Sequence, residues 1–152
     1  MKKIFIIGGI LISSSILFAG TIKPASLNEV SRVLKSLQNE IKTNHENMVN
    51  VYTSAIEIEK RATTPWIANT IAQEIIKASK INQKEFINLR ENYSFADISI
   101  AYAINQLTSK PIGKILRLKN NFGWRDVFSQ YNCSYNRASS IIKKLDLPEF
   151  KK

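Results

Sequence analysis

Apolar residues spaced three and four apart constrain the fold of this chain more than any other feature of its sequence. The spacing continues over five heptads without a break: Leu27, Val30, Leu34, Leu37, Ile41, Asn44, Met48, Val51, Ala55, Ile58 and Ala62. Such spacing places an apolar stripe along one side of an α-helix. Ser26 and Glu29 form a capping box that begins this helix, and Pro65 ends it. The pattern predicts one long helix over residues 27–63.

The sequence leaves open what covers this stripe. It packs either against the C-terminal half of the same chain or against a partner helix, most simply one from a second copy. Asn44 is the polar member of the stripe, and a polar residue there fixes the register of paired helices. The neighbouring His45 is the single histidine and has no Cys, Asp or His at ligand spacing, which predicts a surface residue. We expect a protein partner or self-association through residues 27–62.

The chain beyond Pro65 repeats itself at a step of twenty-nine residues. Residues 85–104 align with 114–133, and the matched pairs are Leu89 and Leu118, Asn92 and Asn121, Tyr93 and Phe122, Phe95 and Trp124, Asp97 and Asp126, and Ile98 and Val127. A period of this length is typical of repeated helical hairpins. The same step aligns Trp66 with Phe95 and Trp124, so we predict that these rings are equivalent core anchors, one in each unit. The alternative is a row of exposed rings that stack on a ligand.

The first twenty residues have the composition of an export signal. Lys2 and Lys3 precede an uncharged apolar stretch from Ile4 to Phe18. The cleavage site is poor, because a cut after Gly20 leaves Phe18 at a position where signal peptidase reads a small residue. The uncharged residues 4–22 are also just long enough to cross a bilayer as an anchor. Residues 1–20 are therefore predicted to be a signal peptide or an N-terminal anchor, with the remainder periplasmic or extracellular.

Positive charge and a helix-turn-helix pattern together indicate a binding surface. The net charge of +10 favours anionic partners: an acidic envelope polymer, a membrane surface or nucleic acid. Residues 124–145 have the pattern of two helices joined by a tight turn. The candidate interaction surface is Arg125, Tyr135, Asn136, Arg137, Lys143 and Lys144. The export signal disfavours nucleic acid, and helix-turn-helix is also a common way to pack helices.

Residues 78–134 resemble a known group of proteins. The segment "FGWRDVF" at 122–128 is similar to the Gly-Trp-Gly-x-Ile-Ala motif of small exported bacterial helical proteins of unknown function. This chain departs from the motif at Arg125, which stands for the second glycine, and at Val127 and Phe128, which stand for Ile-Ala. The resemblance implies export and an all-helical fold, and it carries no activity.

Several chemistries have no residues to support them in the sequence. The single cysteine, Cys133, excludes an intrachain disulfide and a cysteine zinc site. One histidine gives no basis for a Ser/His/Asp set, and no HExxH, P-loop or GxGxxG motif occurs. We therefore expect neither an enzyme nor a cofactor.

The sequence as a whole predicts an all-α protein. One long N-terminal heptad helix precedes a compact bundle of short helix-turn-helix hairpin repeats over residues 65–150. The function predicted is that of an exported, non-catalytic helical interaction module of the cell envelope. The alternative is a helix-turn-helix protein that binds nucleic acid.

Overall fold

The computed structural model describes residues 22–43 and 48–145. This part of the chain forms seven helices and no strand: α1 (Leu27–Thr43), α2 (Val49–Arg61), α3 (Pro65–Ser79), α4 (Gln83–Asn92), α5 (Phe95–Thr108), α6 (Ile112–Gln130) and α7 (Tyr135–Lys144). The predicted all-α class is confirmed. The predicted signal or anchor, Asn44, His45 and the last residues of the predicted 65–150 domain lie outside the described residues.

Helices α1 and α2 are the two arms of a helical hairpin. The structure has α1 and α2 as separate helices, and the Ala25 N–H donates to the Ala62 carbonyl at 2.8 Å. A single helix would hold these two residues about 55 Å apart, at 1.5 Å per residue. The long heptad helix predicted over 27–63 is therefore not confirmed, and two antiparallel arms replace it. The spacing of three and four persists because each arm turns its own apolar stripe towards the same core.

The apolar stripe of this hairpin is covered mainly by the chain itself. Helix α2 packs against α5 and α7, and its stripe residues Val51, Ala55 and Ile58 are buried. In α1 the stripe residue Leu37 is buried as well, but Leu27 is 81% exposed. The C-terminal half is thus the cover for the α2 part of the stripe.

Helix α5 is the centre of the bundle. It carries one charged residue, Asp97, in its first turn, and α2, α3, α4, α6 and α7 pack around it. A helix that is apolar on all sides must be enclosed by others. Its buried residues are Phe95, Ala96, Ile98, Ser99, Ile100, Ala101, Tyr102, Ala103 and Ile104.

The helix boundaries recur at the step of twenty-nine residues. Helix α4 begins at Gln83 and α6 begins at Ile112. Lys80 and Ser109, which follow α3 and α5, are also twenty-nine apart, and both are left-handed with φ 58°. A left-handed residue after the last turn is a common helix terminator.

Gly123 divides α6 into two helical parts. Its φ of 80° and ψ of 167° lie in a region that is essentially reserved for glycine. It occupies the position that Ser94 holds between α4 and α5, twenty-nine residues earlier. The chain therefore turns within α6 without a connecting loop, and Trp124 begins the second part.

Two of the three predicted core anchors are core residues. Phe95 and Trp124 are completely buried, whereas Trp66 is 53% exposed. Trp66 lies at the start of α3, which packs against α4 and α5 at the edge of the repeat. The first unit of a repeat has no preceding unit to cover its outer side. The prediction that Trp66 is an equivalent core anchor is therefore wrong.

Candidate functional site

Helix α7 carries most of the predicted interaction surface. The Ser134 side chain accepts the Arg137 N–H at 3.4 Å and begins the helix. Ala138, Ser139 and Ile142 are buried on one side, where α7 packs against α2 and α5. The opposite side is exposed and holds Asn136, Arg137, Ser140, Lys143 and Lys144. The helix thus presents a continuous polar and basic side to solvent.

The other two residues of the predicted surface have different environments. Tyr135 is half-buried, and its ring centroid lies 4.6 Å from that of Phe128. Tyr135 therefore helps to hold α7 on α6. Arg125 is exposed, but it lies on α6, before the turn that contains the left-handed Asn132.

Positive charge is concentrated near this helix. Residues 110–144, which we call the basic segment, contain eight Lys or Arg residues and one acidic residue, Asp126, and so carry +7 of the chain's +10. Seven of the cations are exposed: Lys110, Lys114, Arg117, Arg125, Arg137, Lys143 and Lys144. The eighth, Lys119, pairs with Asp97 at 3.2 Å. A surface of this composition attracts anions.

A groove separates α7 from the end of α5. Its volume is about 360 Å³, and its lining is Leu107, Asn136, Arg137, Ser140, Ile141 and Lys144. We call it the α5–α7 groove. Two half-buried apolar side chains and two cations line the same depression.

A buried ion pair joins the N-terminal hairpin to the repeat. The Arg90 guanidinium lies 3.0 Å from Glu29 Oε1 and donates to Glu29 Oε2 at 3.3 Å. It also donates to the carbonyls of Lys23 and Tyr93, and it lies 4.2 Å from the centre of the Phe95 ring. Arg90 is only 4% exposed. One cation thus connects α1, α4 and α5.

Glu59 is a second ionisable group in the core, and it is 1% exposed. Its Oε2 accepts the Ala96 N–H in the first turn of α5 at 2.8 Å. Burial raises the pKa of this carboxyl from 4.5 to about 7, opposed by the Ala96 hydrogen bond. The nearby Glu29 and Asp97 carboxylates raise the pKa further, and Arg90 lowers it. Because Glu59 is enclosed by the bundle, its protonation state affects the stability of the fold.

The sequence did not predict the ion pair between Arg90 and Glu29 or the hydrogen bond from the Ala96 N–H to Glu59. The sequence indicates Glu29 only as part of a capping box, and the Glu29 backbone N–H does donate to Ser26 Oγ at 3.1 Å. For Glu59 a signal was present, because it follows Ala55 by four residues and precedes Ala62 by three. That register places it on the buried side of α2.

The stability of the protein should depend on pH through Glu59. A folded-state pKa of about 7 against 4.5 means that the folded chain holds this proton more tightly. The stabilisation that comes from protonating Glu59 in the folded state is present in full below pH 4.5 and is lost as the pH rises through 7. At 1.36 kcal/mol per pKa unit, the free energy of unfolding should fall by about 3 kcal/mol over this range. Glu59→Gln should remove this fall, as measured by urea unfolding at a series of pH values. Glu57→Gln, on the exposed side of α2, is the control and should leave the fall unchanged.

Within residues 22–43 and 48–145, no helix is both long and apolar enough to cross a bilayer. The same residues contain no group of three His, Cys, Asp or Glu side chains that could hold a metal ion. No family model, no curated protein and no solved structure matches the chain.

Proposed function

We propose that this chain is an exported, non-catalytic helical interaction module of the cell envelope that binds an anionic partner through its basic segment. The observation that carries this proposal is the concentration of charge, since residues 110–144 hold +7 of the net +10. All of these cations except Lys110 lie on α6 and α7, which are held by a buried core, so their spacing is set before the partner arrives. Preorganised charge of this kind favours rapid and selective association.

The location of the module is part of the proposal. The basic and apolar residues 1–20 support export, with residues 4–22 as an anchor if they are retained. The partner on this view is an anionic component of the envelope. A protein partner on α1 has weaker support, because Leu27 is its one widely exposed large apolar residue among those described.

Neutralising three cations of α7 should weaken polyanion binding. For the full chain with Arg137→Gln, Lys143→Gln and Lys144→Gln, we expect the dissociation constant for heparin, used as a model polyanion, to rise at least about tenfold. The slope of log dissociation constant against log salt concentration should fall by up to about three. Each cation that is removed leaves one anionic group of heparin with its counterion still bound. Fluorescence anisotropy over a range of salt concentrations measures both quantities.

The matched control changes the same charge elsewhere. Lys35→Gln, Lys77→Gln and Lys84→Gln replace three exposed lysines on α1, α3 and α4. These should reduce binding much less. Equal losses in the two triple variants would mean that net charge alone, and not the basic segment, determines the binding.

Nucleic acid is the second candidate partner. It is favoured by the single exposed side of α7, which combines Asn136, Arg137 and Ser140 with two lysines after a tight turn. The same anisotropy experiment with duplex DNA tests it. A lack of binding to duplex DNA at low salt, alongside binding to heparin, rules this candidate out.

A further inference from the structure

We infer that the α5–α7 groove is the docking site for an acidic amphipathic helix of a partner protein. This inference rests on the proposed function, because it assigns a kind of partner to the basic segment. It depends on what lines the groove, on how those residues are spaced, and on which residue types the lining lacks.

The groove combines apolar and cationic side chains in a fixed order. Arg137, Ile141 and Lys144 follow one another along α7 at steps of four and three residues, so they lie along one side of that helix. Leu107, from the last turn of α5, lines the same depression as Ile141. An apolar floor therefore lies between two cations that are about 10 Å apart along the helix axis, at 1.5 Å per residue.

An amphipathic helix offers the complementary order. Two carboxylates seven residues apart on a helix have the same separation as Arg137 and Lys144, and an apolar side chain halfway between them reaches the floor. Helices commonly dock in this way, with apolar anchors in a groove and charges along its edges. No acidic residue lines the groove, so nothing in its lining repels these carboxylates.

The apolar floor separates this partner from the other anionic ones. A nucleic acid backbone would meet Arg137 and Lys144 with phosphates but would bring no apolar group to Leu107 and Ile141. A flat layer of lipid headgroups does not enter a depression. An apolar side chain between two carboxylates satisfies the floor and both cations together.

The test uses a synthetic peptide with the full chain. The probe is a fluorescein-labelled, alanine-rich helix, stapled on its far side, with two glutamates seven residues apart and two leucines between them. We expect it to bind, and we expect replacement of both leucines by serine to weaken binding about tenfold or more, because their apolar burial is lost. Replacement of both glutamates by glutamine should weaken it by a smaller, salt-sensitive factor.

Variants of the protein locate the binding. Ser140→Trp places a large ring in the groove from an exposed position and should weaken peptide binding about tenfold. The control Ser129→Trp adds the same ring at an exposed position on α6 and should have little effect. In NMR spectra, the amide shifts of Leu107, Ser140 and Ile141 should move on titration with the peptide.

Each result has one meaning. Heparin binding without peptide binding, or peptide binding that Ser140→Trp does not change, overturns the groove assignment and leaves the proposed function in place. Binding to vesicles of phosphatidylcholine and phosphatidylglycerol that Ser140→Trp does not affect, in the absence of peptide binding, likewise overturns it and identifies a membrane as the anionic partner. If the unmodified chain binds neither heparin nor the peptide, the proposed function is wrong, and the groove assignment is wrong with it.

Discussion

Replacing Trp124 by alanine is expected to lower the free energy of unfolding by about 3 to 5 kcal/mol, the range for removing a large buried aromatic ring. Trp124 is completely buried and is the largest side chain in that condition. Its indole N–H also donates to Asp97 Oδ1 at 3.2 Å, so the substitution takes a partner from a carboxylate that begins the central helix. Urea unfolding followed by far-UV circular dichroism measures the loss.

Trp66 provides the matched control for this experiment. It occupies the equivalent repeat position but is 53% exposed, so Trp66→Ala should cost less than about 1 kcal/mol. Trp124→Phe should lie between the two, because it keeps most of the ring and loses the hydrogen bond to Asp97. Similar losses for Trp66→Ala and Trp124→Ala would contradict the burial described for these two rings.

Replacing Arg90 by methionine is the second substitution with a large expected effect. It leaves Glu29, the Lys23 carbonyl and the Tyr93 carbonyl without their shared donor. Removing one member of a buried ion pair costs about 3 to 5 kcal/mol, because the remaining charge keeps its desolvation penalty. The side chains of Arg90 and Glu29 are 2% and 13% exposed, so solvent screens this pair little. Chemical unfolding at neutral pH measures the change.

Two further variants separate the ion pair from simple packing. Glu29→Met together with Arg90→Met removes both charges, and much of the stability should return, since no uncompensated charge remains. Lys60→Met breaks the pair with Glu57, whose side chains are 48% and 55% exposed, and should change stability by less than about 1 kcal/mol. If Arg90→Met lowers the free energy of unfolding as little as Lys60→Met does, the Arg90 guanidinium does not hold α1, α4 and α5 together.

The class of the fold follows from periodicity, but the connection between the first helices does not. A stripe spaced by three and four residues looks the same in one long helix and in two arms that face one core. What distinguishes them is the hydrogen bond from Ala25 to Ala62, between residues that a sequence pattern places at opposite ends of a rod.

The sequence repeat predicted helix boundaries well, but it predicted the burial of side chains less well. A step of twenty-nine residues separates the ends of α3 and α5 and also the starts of α4 and α6, because local signals such as the left-handed Lys80 and Ser109 determine where helices stop. Burial depends on what lies on the far side of a helix. Trp66 and Phe95 have equivalent positions in sequence, but one is at the edge of the bundle and the other is at its centre.

In the candidate site, too, local features could be predicted from the sequence, but contacts between distant residues could not. The exposed side of α7 could be predicted because Asn136, Arg137, Lys143 and Lys144 are polar residues on an amphipathic helix. The α5–α7 groove could not be predicted from the sequence, because one of its lining residues, Leu107, comes from a different helix. Arg90 and Glu29 are separated by sixty-one residues, and nothing local to either indicates the other.

The buried polar contacts have a consequence for how the chain finds its arrangement. The seven helices of the described residues could fill a core in several ways, and apolar packing alone distinguishes these poorly. Ser54 meets Ser139, Glu59 meets Ala96 and Arg90 meets Glu29 across separations of eighty-five, thirty-seven and sixty-one residues. In a competing arrangement the Glu59 carboxyl and the Arg90 guanidinium would be buried without these partners, which costs more than the contacts themselves contribute. Their main effect is therefore to exclude misassembled bundles, so that one topology is populated among many of comparable apolar burial.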